Sequence, residues 1–239
     1  MTRRIELRRL LFIASILIAS PACFATTYSS IQAMSGWGSC AACAGANGAG
    51  PVVGLYMRQH EGSPSLDGNS TEYHIGGGHP YSDVLFWKRL GSTSSATHHF
   101  VYDTYFYLTN PGAAQNLEFD INQFVSGRSF ILGTQCNIRG GHVWQVWNEP
   151  SNSWASTGVY CATPTAYHWN HLTIEAERTW DNKLHYIAIT LNGWKHYINR
   201  YYGSRGTSWN GVTVNFQLDG DSAQTPYSTW LDKLTLTSW

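Results

Sequence analysis

Short runs of alternating residues recur from about residue 51 to the end of this chain, and they constrain its fold more than any other feature. The runs are rich in Val, Ile, Tyr, Phe and Trp, lie between clusters of Gly, Asn, Ser and Pro, and lack a sustained helical period. Strands without intervening helices predict an all-β fold, an antiparallel β-sandwich. The predicted strands cover residues 53–58, 84–89, 97–108, 116–125, 128–138, 142–148, 168–178, 183–192, 194–202, 212–219 and 229–237.

The first 25 residues have the order of a secretory signal peptide. Four arginines precede an apolar stretch over residues 10–19, and a small-residue site follows at Cys23 to Ala25. As a helix, the apolar stretch would span about half of a hydrocarbon core, which favours cleavage over a retained anchor. We therefore expect an exported protein, extracellular or periplasmic, without membrane insertion of the mature form. Acylation of Cys23 in a lipoprotein is the weaker alternative.

Residues 26–50 are predicted to form an irregular N-terminal arm, and residues 51–239 a single domain. The arm is expected because residues 35–50 are almost wholly Gly, Ala, Ser and Cys.

Four cysteines follow the predicted signal peptide: Cys40, Cys43, Cys136 and Cys161. An even count in an oxidising compartment indicates disulfides, and four cysteines allow three connectivities. We prefer Cys136 with Cys161 and Cys40 with Cys43. A zinc site and a redox Cys-x-x-Cys motif are the alternatives, but the chain lacks a second close cysteine pair for zinc and a strand-to-helix context for redox chemistry.

The charge balance argues against nucleic acid or an anionic membrane as partner, since the formal net charge is zero and 13% of residues are charged. The chain is instead rich in aromatic residues, with 11 Trp and 14 Tyr, and in Gly, Ser, Thr and Asn. Such a surface favours uncharged ligands that form hydrogen bonds.

Several segments resemble the concanavalin A-like lectin/glucanase superfamily. They are residues 117–122 (LEFDIN), residues 169–174 (WNHLTI) followed by 187–193 (IAITLNG), and the closing residues 230–236 (WLDKLTL). The resemblance covers residues 51–239. It implies a jelly-roll β-sandwich and a polysaccharide or oligosaccharide as partner.

A row of polar side chains on one predicted strand is the candidate site. Alternation places Glu118, Asp120 and Asn122 on one face, opposite apolar side chains. Asn and Gln carry fixed donors and acceptors suited to sugar hydroxyls, and tryptophan rings can pack on a pyranose. The further candidates for ligand binding are Gln135, Asn137, Gln217, Trp144 and Trp147. Solvated surface for the polar rows, and core packing for the tryptophans, are the alternatives.

The resemblance also bears on catalysis, because retaining glucanases of the superfamily carry a Glu-x-Asp-x-Glu strand. It implies that Glu118 matches the nucleophile and Asp120 its helper, whereas Asn122 stands at the acid/base position, with Gln123 at the bulged alternative. An amide cannot protonate a leaving group, and loss of a general acid costs about 10²- to 10⁴-fold in rate. We therefore expect a secreted, lectin-like carbohydrate-binding domain that is not catalytic.

Three other functions remain open at this stage. A glycoside hydrolase would use Glu118 with an acid from another strand, for which Glu175 and Glu177 are candidates. A jelly-roll polysaccharide lyase would draw on His142, His196, Arg200, Tyr201 and Tyr202. A structural or adhesive surface domain would need no small ligand.

No metal or cofactor is expected, although residues 219–222 (DGDS) match a calcium loop as well as a common turn.

Overall fold

The computed structural model describes residues 25–41 and 52–239. The predicted signal peptide up to residue 24, including Cys23, and Cys43 lie outside the described residues. The described part contains sixteen strands and three short 3₁₀ turns. The strands are β1 (Thr26–Tyr28), β2 (Trp37–Ala41), β3 (Leu55–Glu61), β4 (Ser70–Ile75), β5 (Asp83–Gly91), β6 (His99–Leu108), β7 (Ala114–Val125), β8 (Arg128–Asn137), β9 (Val143–Asn148), β10 (Ser153–Tyr160), β11 (Trp169–Arg178), β12 (Leu184–Leu191), β13 (Trp194–Tyr202), β14 (Arg205–Gly206), β15 (Gly211–Gly220) and β16 (Tyr227–Ser238). The turns are Ile31–Ala33, Pro111–Ala113 and Glu149–Ser151.

The strands form two antiparallel sheets packed face to face. Sheet A has the order β13-β12-β11-β6-β16-β4-β3, with β1 added to β16. Sheet B has the order β10-β9-β8-β7-β15-β5-β2, with β14 added to β8. Successive strands such as β4 and β5 lie in different sheets, so the chain crosses repeatedly between them. The predicted antiparallel jelly-roll β-sandwich is confirmed.

The core lies between the sheets, where every second side chain points inward. β6 and β11 alternate strictly between buried and half-buried residues, as expected for strands with one face in a core. Tyr73 of sheet A makes edge contacts with Phe86 and Phe216 of sheet B, at ring-centroid distances of 5.0 and 5.2 Å. These aromatic contacts join the two layers at the centre of the sandwich.

Residues 26–41 are more regular than the predicted irregular arm. β1 extends sheet A and β2 extends sheet B, while Ile31 between them is fully buried. In β2, Gly38 lies against the Trp87 ring, since a Cβ added at Gly38 would clash with that ring. The small residues that suggested a loop are therefore what allows β2 to pair closely with β5.

One predicted disulfide lies within the described residues. Cys136 of β8 is bonded to Cys161, which follows β10, with the two Cα atoms 5.7 Å apart. Cys40 is also disulfide-bonded. Because Cys43 lies outside the described residues, the pairing of Cys40 with Cys43 stays a prediction.

Candidate functional site

The outward face of sheet B brings the predicted polar residues together. In the strand register, Glu118 of β7 lies opposite Gln135 on β8 and Gln217 on β15. Asp120 and Asn122 follow on the same face of β7. Five of the residues predicted from alternation therefore form one continuous polar surface.

This surface is the floor of a groove and not an ordinary solvated face. The exposed fractions of Glu118, Asp120, Asn122 and Gln135 lie between 3 and 8%. Every residue of β7 from position 117 to 123 is buried, on both faces of the strand. Because this polar face is buried, other parts of the molecule must surround it.

Two tryptophans form the side of the groove above β7. Trp147 of β9 and Trp154 of β10 line its central depression, with ring centroids 5.3 Å apart and an angle of 67° between the rings. Gly133 makes this approach possible, since an added Cβ would lie 3.1 Å from Trp147 Cβ and 3.2 Å from Asp120 Oδ1. Gly133 is also the residue directly opposite Asp120 in the register.

The groove continues beyond its centre in both directions. The central depression has a volume of about 200 Å³. A depression of about 230 Å³ shares Trp154 and Gln217 with it and reaches Asp219. On the other side, a depression of about 390 Å³ shares Trp147 and reaches Trp209. Together, the three depressions offer room for more than one sugar ring.

Unpartnered hydrogen-bond acceptors are concentrated on the groove floor. These buried oxygen atoms have no hydrogen-bond partner among the described residues: Asn116 Oδ1, Glu118 Oε2, Asp120 Oδ1, Asn122 Oδ1 and Gln135 Oε1. A buried polar atom without a partner costs about 1–3 kcal/mol. A row of five such acceptors is therefore suited to a ligand that brings several hydrogen-bond donors.

Burial perturbs the carboxyl groups of the groove. Burial raises the pKa of Glu118 well above its usual range, and the charge of Asp120 raises it further. Burial also raises the pKa of Asp120 to about 7, against the lowering effect of hydrogen bonds from Glu118 and from Asn215. The pKa of Asp219, at the groove end, is raised by burial to about 6. Burial therefore shifts the carboxyl groups of the groove floor towards their protonated forms.

The replacement acids considered for a hydrolase lie on the other side of the molecule. Glu175 and Glu177 belong to β11 of sheet A, where Glu175 pairs with Lys195 at 2.6 Å and Glu177 with His185 at 2.7 Å. Alternation was sufficient to place them outside the core but not to assign them to a sheet. They are not groove residues.

One buried carboxyl group at the groove end escaped the sequence analysis. Glu149 lies in the turn after β9 and is 2% exposed. Its carboxylate accepts hydrogen bonds from Ser129 Oγ and from the backbone N–H of Ile131, the latter at 3.3 Å. These bonds tie the turn to β8, and burial raises the pKa of Glu149.

The structure separates the two tryptophans proposed from the sequence. Trp147 lines the groove, whereas Trp144 is 2% exposed and packs in the core. Their odd spacing on β9 places them on opposite faces. Asn137 also lies outside the groove lining, because its Oδ1 accepts the Gly140 N–H at 2.6 Å and caps the turn after β8.

Other residues of the groove were not among the ligand-binding residues predicted from the sequence. Asn215 belongs to the polar row of β15, and its Nδ2 donates to Asp120 at 3.4 Å. Leu85 and Trp154 also line the central depression. Trp154 is an isolated aromatic residue in a polar segment, and only the pairing of β9 with β10 brings it over β7.

The residues considered for a lyase do not line the groove. They are His142, His196, Arg200, Tyr201 and Tyr202, and all but His142 lie on β13, at the edge of sheet A.

Residues 219 and 220 end β15, and a turn follows over residues 221–224, where the Gln224 N–H donates to the Asp221 carbonyl at 3.2 Å. Asp221 Oδ1 accepts the N–H groups of Ala223 and Gln224, and its Oδ2 pairs with Arg139 at 3.1 Å. Across the described residues there is no group of three or more His, Cys, Asp or Glu side chains arranged to hold a metal ion. Both carboxylate oxygen atoms of Asp221 therefore already have partners, which disfavours the calcium-loop alternative.

The comparisons with known proteins support the fold but identify no family. No protein-family model matches the sequence, and no curated protein matches it significantly. Among solved structures, the carbohydrate esterase of the Shiga toxin-encoding bacteriophage phi24B is similar, with a TM-score of 0.51, 12% identity, and coverage of 90% of this chain and 99% of that one. The winged bean acidic lectin in complex with methyl-α-D-galactose has a TM-score of 0.46 at 9% identity, with coverage of 90% and 98%. The family 11 carbohydrate-binding module of Clostridium thermocellum, in complex with a mixed-linked tetrasaccharide, has a TM-score of 0.41 at 12% identity, with coverage of 89% and 94%.

Within residues 25–41 and 52–239, no helix is long and apolar enough to cross a membrane.

Proposed function

We propose that this protein is an exported, lectin-like domain that binds a neutral oligosaccharide or polysaccharide in the groove of sheet B without cleaving it. The observation that carries the proposal is the row of five buried acceptors without partners on the groove floor. A sugar chain supplies hydroxyl donors at closely spaced positions, so it would satisfy these acceptors together.

The groove combines polar and aromatic groups in the way that sugar binding needs. Hydroxyl groups would donate to the amide and carboxyl oxygens of β7 and β8, while the apolar C–H face of a ring would pack against Trp147 and Trp154. The central depression contains the carboxyl groups of Glu118 and Asp120 and no Lys or Arg, so an acidic sugar would find no opposite charge there. A neutral glycan fits both conditions.

Binding without cleavage is favoured by the residue at the acid/base position. Asn122 Nδ2 donates to Thr213 Oγ1 at 3.2 Å, so the amide is held in the floor and offers no transferable proton. The other acids considered, Glu175 and Glu177, belong to sheet A and pair there with basic side chains.

A glycoside hydrolase is the second candidate, and one observation favours it. Glu118 and Asp120 lie on the same face of β7 in the groove, and burial raises the pKa values of both, which is the condition that a general acid needs near neutral pH. A hydrolase of this kind would depend on Glu118.

Binding and cleavage can be separated on the mature domain with a glycan array and a reducing-sugar assay on the glycans that bind. We expect binding without release of reducing ends, before and after Glu118→Gln. Trp154→Ala should weaken binding about tenfold or more, since it removes a ring contact. Trp180→Ala is the matched control, because Trp180 is 82% exposed, contacts His98 and does not line the groove. Turnover abolished by Glu118→Gln would support the hydrolase, and failure to bind any neutral glycan would contradict both functions.

A separate observation supports export. The Cys136–Cys161 disulfide agrees with an oxidising compartment. Secretion of the full chain with cleavage near residue 25, measured by mass spectrometry of the mature protein, would test this part of the proposal.

A further inference from the structure

A second cleft opens at the side of the sandwich, between the edges of the two sheets. Its volume is about 330 Å³, larger than the central depression of the groove. Trp144 of β9 and Ile189 and Leu191 of β12 form its floor. Tyr160 at the end of β10 and Trp194 at the start of β13 stand at its sides. We call this the side cleft.

The aromatic residues at the sides of the cleft expose most of their surface. Trp194 is 77% exposed and Tyr160 is 66% exposed. Trp180 is comparably exposed, but its ring contacts the His98 ring at a centroid distance of 3.9 Å and an angle of 32°. Within the described residues, Trp194 has no such ring partner. Two large aromatic side chains turned to solvent beside an apolar floor indicate a binding surface.

Unlike the groove, the side cleft has an uncharged and largely apolar lining. Its lining residues include no Asp, Glu, Lys or Arg. The Asn192 side chain is already engaged, since its Oδ1 accepts the His171 N–H at 2.8 Å and its Nδ2 donates to Asn170 at 3.2 Å. His196, exposed at the rim, is the remaining polar side chain of the lining apart from the Tyr160 hydroxyl and the indole N–H groups.

This lining determines the class of ligand that fits. A sugar would leave most of its hydroxyl groups without partners on the apolar floor, which costs free energy for each group. A charged compound would lose hydration without gaining an opposite charge. A flat apolar ring without charge, in contrast, gains contact with Tyr160 and Trp194 and with the aliphatic floor.

We propose that the side cleft is a second binding site, separate from the groove, which takes an uncharged aromatic compound of the phenol class. The ring lies between Trp194 and Tyr160, above Ile189 and Leu191, and the hydroxyl group points to the rim beside His196. This site does not depend on the function proposed for the groove.

The test uses 1-naphthol as an uncharged probe and 1-naphthalenesulfonate as its charged counterpart, with binding measured by isothermal titration calorimetry. We expect saturable binding of 1-naphthol and binding of the sulfonate at least about tenfold weaker. Trp194→Ala and Tyr160→Ala should each weaken 1-naphthol binding about tenfold, the size expected for loss of an aromatic contact. Trp180→Ala should leave binding unchanged.

A blocking variant keeps both aromatic residues in place. Ala162 lines the side cleft and is exposed, so Ala162→Phe should fill the cleft and abolish 1-naphthol binding while circular dichroism shows a native fold. The proposal is overturned if 1-naphthol does not bind up to its solubility limit, or if its binding survives all three cleft variants. Competition of 1-naphthol by a glycan bound in the groove would also overturn it, because the two sites are separate.

Discussion

At the scale of single residues, the groove floor depends on carboxyl groups in a buried environment. Alternation along residues 116–125 was sufficient to place Glu118 and Asp120 on the same face of a strand. It could not indicate that this face is buried, because burial depends on Trp147 and Trp154 from strands distant in sequence. The raised pKa values, which follow from that burial, were therefore beyond sequence reasoning.

Asp120→Asn should change how stability depends on pH. With folded-state pKa values of about 7 for Asp120 and about 6 for Asp219, the folded protein holds more protons than the unfolded chain between about pH 4 and 7. The free energy of unfolding therefore falls as pH rises through this window. Asp120→Asn should reduce the fall and stabilise the protein by about 1 kcal/mol or more at pH 8, measured by urea unfolding from pH 4 to 8.

Asp181→Asn provides the control for that measurement. Asp181 is exposed and its pKa is lowered by Lys183, so its contribution to the pH dependence lies below the same window. An Asp120→Asn protein with an unchanged slope between pH 4 and 7 would contradict the assignment of a raised pKa to Asp120.

At the scale of elements, the β9–β10 hairpin turns a polar sheet face into a groove. β9 was predicted from its alternation, but β10 was not, since its sequence SWASTGVY mixes small polar residues with two aromatic ones. Its place is set by pairing with β9, which puts Trp154 directly opposite Trp147. Such cross-strand contacts are absent from local sequence patterns. For the same reason, Trp147 was predicted from the sequence and Trp154 was not.

Gly133→Ala tests whether the hairpin position controls binding. The added Cβ would lie 3.1 Å from Trp147 Cβ and 3.3 Å from Trp154 Cη2, so both rings must shift by a few tenths of an ångström. We expect glycan affinity to fall several-fold, by about 1 kcal/mol, with the fold retained. Gly62→Ala is the matched control, because no atom lies within 4 Å of an added Cβ there. Equal affinity of Gly133→Ala and the parent protein would show that the indole positions do not control binding.

At the scale of the whole molecule, the sandwich follows from strand patterning, whereas the sheet order does not. Eleven predicted strands without helices allow many antiparallel arrangements, and alternation does not choose among them. The five strands that were missed, β1, β2, β4, β10 and β14, include edge strands whose small or polar residues give weak signals. The Cys136–Cys161 pairing was the one long-range contact that the sequence predicted, because cysteine counting carries information that alternation lacks.

That disulfide should matter for the stability of the whole sandwich, since it closes a segment of the chain that contains β9 and β10. With a sequence separation of 25, loop closure in the unfolded chain predicts a contribution of about 3.5 kcal/mol. Replacing Cys136 and Cys161 together by Ala should lower the thermal midpoint by about 10 °C, measured by calorimetry. The double variant isolates this bond, because chemical reduction would also act on the disulfide of Cys40. If the midpoint of the double variant stayed within about 2 °C of the parent, the hairpin would be held by β8–β9 pairing and core packing alone, and the bond would contribute little to the groove that it encloses.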